Sequence, residues 1–116
     1  MAVPCVLGLD LGTSGIKVVL VGLDGDVLAR ADRGYGVASP RPGWAETDPV
    51  DWESAAREGV AAVLAEVDAD VRAIGLDGQM HGTVLIDAAG EPVRPAVLWP
   101  DARAQAELGA WRELPR

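Results

Sequence analysis

Ten consecutive residues near the N-terminus concentrate the chemistry this chain can offer: Gly8-Leu9-Asp10-Leu11-Gly12-Thr13-Ser14-Gly15-Ile16-Lys17. A carboxylate, Asp10, comes first. The hydroxyls of Thr13 and Ser14 follow, set between Gly12 and Gly15, and the ammonium of Lys17 comes just after. Glycines at a bend let backbone amides approach an anion, and successive N–H groups can cradle a phosphate. Asp10 suits a hydrated Mg²⁺ ion, which takes one or two carboxylates and keeps several waters. Gly12, Thr13, Ser14 and Lys17 are then the candidate phosphate contacts. The competing reading is a plain glycine-rich hairpin turn.

The elements around this segment narrow the choice. Apolar runs flank it, Cys5-Val6-Leu7 before and Val18-Val19-Leu20-Val21 after, which reads as strand, tight turn, strand. A P-loop needs Gly-Lys-Ser/Thr opening a helix, but Ile16 separates Gly15 from Lys17 and a strand-like run follows. The dinucleotide fingerprint likewise requires a helix after its glycines. The remaining arrangement resembles the phosphate hairpin of the actin-like ATPase superfamily, to which sugar kinases, heat-shock chaperones and actin belong.

Further along, Leu23-Asp24-Gly25-Asp26 signals a second hairpin leading to a third strand, Val27–Ala31. Ser39–Trp44, with two prolines and a glycine, is an irregular loop. Asp48 is a good N-cap and Pro49 a good first residue for a helix, and Asp51 and Glu53 favour its dipole. Trp52, Ala56, Gly59, Val60, Val63 and Val67 recur at helical spacing and predict its buried face. Strands are expected at Val71–Leu76, Thr83–Asp87 and Ala96–Trp99, with a polar segment from Asp77 to Gly82. A final helix is expected from Asp101 through about Leu114. Three strands, a helix, then further strands and helices predict an α/β fold, a mixed sheet with flanking helices.

Composition sets broad limits. At 116 residues the chain is one domain or less, long enough for a real core. A net charge of -8 argues against a nucleic-acid partner. Lys17 is the sole lysine, its position fitting either a phosphate contact or a solvated turn. Cys5, also alone, leaves no intrachain disulfide. No apolar run reaches membrane-span length and no signal-like N-terminus is present, so no membrane partner and a cytoplasmic location are the expectations.

Three further segments resemble one family. Pro42-Gly43-Trp44-Ala45-Glu46-Thr47-Asp48-Pro49 with Trp52, then Ile74-Gly75-Leu76-Asp77-Gly78-Gln79-Met80-His81-Gly82, then Leu98-Trp99-Pro100-Asp101-Ala102-Arg103, are similar in order and spacing to segments of the FGGY carbohydrate kinases, and most of all to the xylulokinases among them. The resemblance implies a ribonuclease H-like (actin-like ATPase) domain, present in part. Residues 1–116 would be the N-terminal part of the first such domain, with the remainder of the enzyme absent. It implies ATP and Mg²⁺ as cofactors and D-xylulose, or a related small sugar, as the partner phosphorylated at a hydroxyl. Met80 and His81 would line the sugar pocket, with a structural hydrogen bond as the alternative for His81. Trp99 would wall the pocket or simply pack, and Asp101 would reach the sugar or cap the helix. Pro100 stands where the family usually has Asn. Trp44 and Trp52 read as packing residues, and Glu46 as a loop brace. The resemblance places the catalytic base, the second phosphate motif and the adenosine pocket outside these residues, so the chain alone is expected to be inactive. A homodimer is an assembly open to the parent enzyme. Other FGGY kinases, acting on another pentulose, gluconate or glycerol, and a non-catalytic folded remnant are the alternatives.

Overall fold

The computed structural model describes residues 1–115. Three strands open the chain as an antiparallel meander: β1 (Val3–Leu11), β2 (Gly15–Gly22) and β3 (Val27–Gly34). The β2–β3 turn is closed by Gly25 at φ 96°, which glycine adopts without strain, and by the Asp24 carboxylate accepting from the Asp26 amide at 3.1 Å. After the two-residue strand β4 (Glu46–Thr47), helix α1 (Pro49–Glu66) carries the chain back across the sheet. Strand β5 (Ala69–Gly78) then lies parallel to β1, giving the order β3-β2-β1-β5. Strand β6 (Ala96–Val97) pairs with β4 in a separate small ladder.

Helix α1 starts where its sequence says it should. The Asp48 carboxylate accepts from the Val50 amide at 3.0 Å, and Pro49 fills the first turn. Its inward residues are Ala55, Gly59 and Val63, with Ala56 and Val60 partly covered. Ala55 was not on the predicted face, while Trp52 lies near its edge, where it packs on a second cluster of Ala45, Ala96 and Leu98. Glu53 lies within the helix and pairs with Arg57 one turn on. Gly59 marks the closest approach of helix to sheet, since a Cβ there would fall 2.7 Å from a Val18 methyl. The core lies between α1 and one face of the meander: Cys5, Leu7, Ile16, Val18, Leu20 and Ala29 point to it by the two-residue period of strands.

Two expectations fail. Thr83–Asp87 forms no strand, only isolated bridges, Thr83 to Val97 and Ile86 to Pro92, and its apolar side chains stay largely exposed. Its backbone bonds are scattered, Thr83 to Val97 of β6, Leu85 to Val93 and Asp87 to Glu91, so the apolar run builds no continuous ladder. The single final helix is instead a 3₁₀ segment, Arg103–Glu107, followed by the short α2 (Leu108–Arg112), neither with a buried residue. A short helix without a buried face lacks the tertiary packing that stabilises most helices. Among the described residues no helix is long and apolar enough to cross a membrane.

Candidate functional site

The face of the sheet opposite α1 carries the charges. Cross-strand register sets Asp10 beside Lys17, Lys17 beside Asp32, and Asp10 beside Asp77 on the other side. One row of alternating strands therefore reads Asp32, Lys17, Asp10, Asp77. At its end lies the tip of the β1–β2 hairpin, Gly12 to Ser14. Its glycines have a local cause: the Gly12 amide donates to the Gly15 carbonyl at 2.9 Å. A Cβ on Gly12 would meet the Gly15 oxygen at 2.9 Å, and one on Gly15 would meet the Arg33 oxygen at 2.9 Å. Both approaches are closer than a real Cβ tolerates, so the hairpin's own closure demands glycine at 12 and the neighbouring strand β3 demands it at 15.

Two cavities meet at this tip. The first, about 360 Å³, is lined by Asp10, Gly12–Lys17 and the end of β3 at Asp32–Gly34. The second, about 430 Å³, is lined by Asp10, Gly12, Thr13, Gly78, Gln79, Met80, His81 and Trp99. Asp10, Gly12 and Thr13 are their shared wall. The structure thus brings Asp10, Gly12, Thr13, Ser14 and Lys17 to the first cavity, and Met80, His81 and Trp99 to the second.

The second cavity is polar at one side and apolar at the other. His81 sits at φ 62°, the one non-glycine residue at positive φ among those described. Such backbone is uncommon outside Gly, with Asn, Asp and His the side chains that adopt it most, and residues held there cluster at functional sites. The loop is held by reciprocal backbone bonds between Thr83 and Val97 at 2.8 and 3.0 Å. Met80 and Trp99 are exposed, offering apolar surface to the cavity. The Trp99 indole Nε1 donates to the Thr13 hydroxyl at 3.1 Å, tying the second cavity to the hairpin.

Asp101 is turned elsewhere. Its Oδ2 accepts from the Ala45 amide and the Arg103 guanidinium, both at 2.7 Å, and its Oδ1 accepts from the Arg103 amide and Nε, both at 2.9 Å. The side-chain hydrogen bond from Arg103 is the main reason its carboxyl is held far below the usual carboxylate range. Arg103 also bridges to Glu46 at 2.8 Å and lies 3.6 Å over the Trp44 ring, and Arg94 reaches Glu46 at 2.7 Å. This knot fastens the Trp44–Glu46 loop to the segment that presents Trp99. Glu46 is thus the loop brace expected of it, while Asp101 binds its own neighbours and lines neither cavity.

Sequence reading missed Tyr35 and Gln79. The Tyr35 hydroxyl and the Gln79 Nε2, the latter at 3.3 Å, both donate to the Gly12 carbonyl, and the Gln79 amide donates to the Leu11 carbonyl at 2.8 Å. Gln79 falls within a quoted motif, so position could have flagged it. For Tyr35 the only signal is that it is the sole tyrosine.

The open charged sheet face, the glycine-closed hairpin and the adjoining cavity define a class: the fold of the actin-like ATPases, in its sugar-kinase form. The family model for the FGGY family of carbohydrate kinases, N-terminal domain, matches residues 5–116, and the chain belongs to that family. It is 40% identical over 104 residues to the xylulose kinase of Staphylococcus xylosus, covering 89% of this chain and 22% of that one. It is 42% identical over 102 residues to the xylulose kinase of Escherichia coli, covering 87% and 21%. Among solved structures, the xylulose kinase of Rhodospirillum rubrum superposes with a TM-score of 0.90 at 35% identity, covering 93% of this chain and 23% of that one. The chain therefore spans about a fifth of the length of the curated relatives it matches.

Proposed function

We propose that this chain is the N-terminal part of the first actin-like domain of an ATP-dependent kinase that phosphorylates D-xylulose to D-xylulose 5-phosphate, in the cytoplasm. The observation that carries the reading is the shared wall of the two cavities at Asp10, Gly12 and Thr13. Phosphoryl transfer requires a nucleotide phosphate and an acceptor hydroxyl side by side, and catalysis of it is mostly positioning and electrostatics. The hairpin cavity suits the phosphates: Gly12, Thr13, Ser14 and Lys17 border it, and the Thr13 and Ser14 amides and hydroxyls and the Lys17 ammonium are the groups that would meet an anion, the Gly12 amide being held by Gly15. The other cavity suits a small polyol, with the His81 imidazole to exchange hydrogen bonds with hydroxyls and Met80 and Trp99 against the carbon skeleton.

The residues present fit Mg²⁺. Asp10 is an exposed carboxylate on the wall of both cavities, and Asp77 is its register neighbour. Among the described residues no group of three or more His, Cys, Asp or Glu gathers to cage a metal. Mg²⁺ needs no such cage, because one or two carboxylates and phosphate oxygens suffice. When bound, the ion would neutralise charge on the phosphates. Asp10 would hold it, Lys17 would sit beside Asp10 to balance charge, and Trp99 would exclude water from the sugar's apolar side. The base that accepts the hydroxyl proton is assigned to the remainder of the enzyme.

ADP release by the whole enzyme tests this, with ATP and magnesium and with D-xylulose, glycerol or gluconate in turn. D-xylulose should give the highest kcat/KM, and Asp10→Asn should lower turnover by roughly a hundredfold or more without lowering Tm. Near-normal turnover in that variant, or preference for another acceptor, would contradict the reading.

A further inference from the structure

A peptide that faces a phosphate must present its N–H, because a carbonyl there would repel the anion. At the hairpin tip this is a choice between two orientations of the Gly12–Thr13 peptide plane, and glycine's conformational freedom makes both accessible. The structure chooses one by holding the Gly12 carbonyl from outside the phosphate cavity. The Tyr35 hydroxyl and the Gln79 carboxamide both donate to that oxygen. Only the NH₂ end of the carboxamide can face a carbonyl, so the orientation of Gln79 is fixed by chemistry. Its Oε1 is buried without a hydrogen-bond partner, a cost accepted to keep the NH₂ on Gly12. The peptide is trans, so the Thr13 N–H points opposite to the Gly12 carbonyl. Gly12–Gly15 line the 360 Å³ cavity, and neither Tyr35 nor Gln79 does.

We propose that Tyr35 and Gln79 are positioning residues that lock the Gly12–Thr13 peptide with its carbonyl turned away from the hairpin cavity and the Thr13 N–H turned into it, so that the loop bearing Met80 and His81 sets the phosphate-binding hairpin. The proposal rests on the phosphate reading of that cavity given above. Gln79 is the link, because its backbone amide and its side chain grip the consecutive carbonyls of Leu11 and Gly12 while its next two residues line the sugar-side cavity. Burial, and secondarily the Asp10 charge, push the Tyr35 phenol above its ordinary pKa, so it stays protonated and able to donate at neutral pH.

The test is made on the whole enzyme with Tyr35→Phe and Gln79→Leu, singly and together. Tyr35→Phe keeps the ring that meets Trp52 edge-on at 6.5 Å, so packing is preserved. The double variant should lose roughly ten- to a hundredfold in kcat, the scale on which misplaced catalytic groups act, with the KM for D-xylulose and Tm unchanged. In the wild type, ADP with magnesium should slow hydrogen exchange at the Thr13 and Ser14 amides, and in the double variant that protection should vanish. Retained protection, a kcat near that of the wild type, or a kcat loss matched by a raised sugar KM and a lowered Tm would each overturn the proposal. The exchange readout does not depend on the acceptor sugar. A wild type that is protected by ADP but indifferent to D-xylulose would refute the function proposed above and leave this inference standing.

Discussion

The two halves of the molecule are built on different principles. In the meander backed by α1, Ile16, Val18, Leu20 and Val63 are essentially inaccessible to solvent, and the packing is apolar throughout. In the half formed by β5 and residues 79–103, Ile74 and Leu76 remain 67% and 79% exposed, and Leu85, Ile86 and Val93 are open as well. Beyond the β1–β5 ladder and the small cluster of Ala96 and Leu98 on Ala45, that second half is fastened by a few polar ties across long sequence separations: Asp101 to Ala45, Arg94 to Glu46 and Trp99 to Thr13. Nearly all the candidate sugar-side residues belong to this polar-tied half, and the β1–β2 hairpin is the seam between the two. A rigid apolar scaffold thus presents the hairpin, while the candidate sugar-side wall depends more on directional bonds.

Breaking the scaffold should have the largest effect on stability. Leu20→Ala removes a fully buried side chain at the centre of the sheet, and urea unfolding should show a loss of about 2–5 kcal/mol. The turnover of the protein that remains folded should be little changed, because Leu20 faces α1 and not the charged row. A loss of turnover at full stability would erase the distinction between the halves.

The polar-tied half should respond more weakly and with a pH signature. Asp101→Asn weakens the grip on Arg103 and Ala45 and should lower Tm by less than Leu20→Ala does. The Asp101 carboxyl is held low in the folded state, so its stabilising contribution is present above the ordinary carboxylate pKa of about 3.9. It is lost as pH falls from there toward the depressed folded value. The difference in Tm between wild type and variant should therefore be full at neutral pH and shrink as pH falls below about 4. A difference that stays constant through that range would mean that ionised Asp101 contributes nothing to the hold.

The sequence revealed these two halves unequally, for physical reasons. The meander, the capped start of α1 and most of its buried face follow from local rules: two-residue alternation, glycine turns, an Asp-Pro cap and helical spacing. As residues that line the two cavities, Asp10, Gly12, Thr13 and Ser14 were legible because one short segment holds them all, and Met80, His81 and Trp99 because motif resemblance marked them. Tyr35 and Gln79 were not, since their role exists only once Gly12 is brought to them from 23 and 67 residues away. Asp101 was ambiguous for the same reason: its partner amide belongs to Ala45, 56 residues earlier. Thr83–Asp87 misled because its apolar run resembles a strand but makes only isolated bridges, one of them from Thr83 to β6.

The central claim is that the open face beside the hairpin binds a sugar, and His81, which is not among the ties that fasten that half, tests it most directly. Alanine is a poor probe there, because φ 62° would strain any ordinary side chain. His81→Gly removes the imidazole while accepting the backbone. Calorimetric titration of the whole enzyme should show D-xylulose bound roughly ten- to a hundredfold more weakly by the variant, the effect of losing hydrogen bonds to buried polar groups, with ADP affinity and Tm unchanged. Unaltered sugar affinity, or sugar and ADP weakened together, would contradict it.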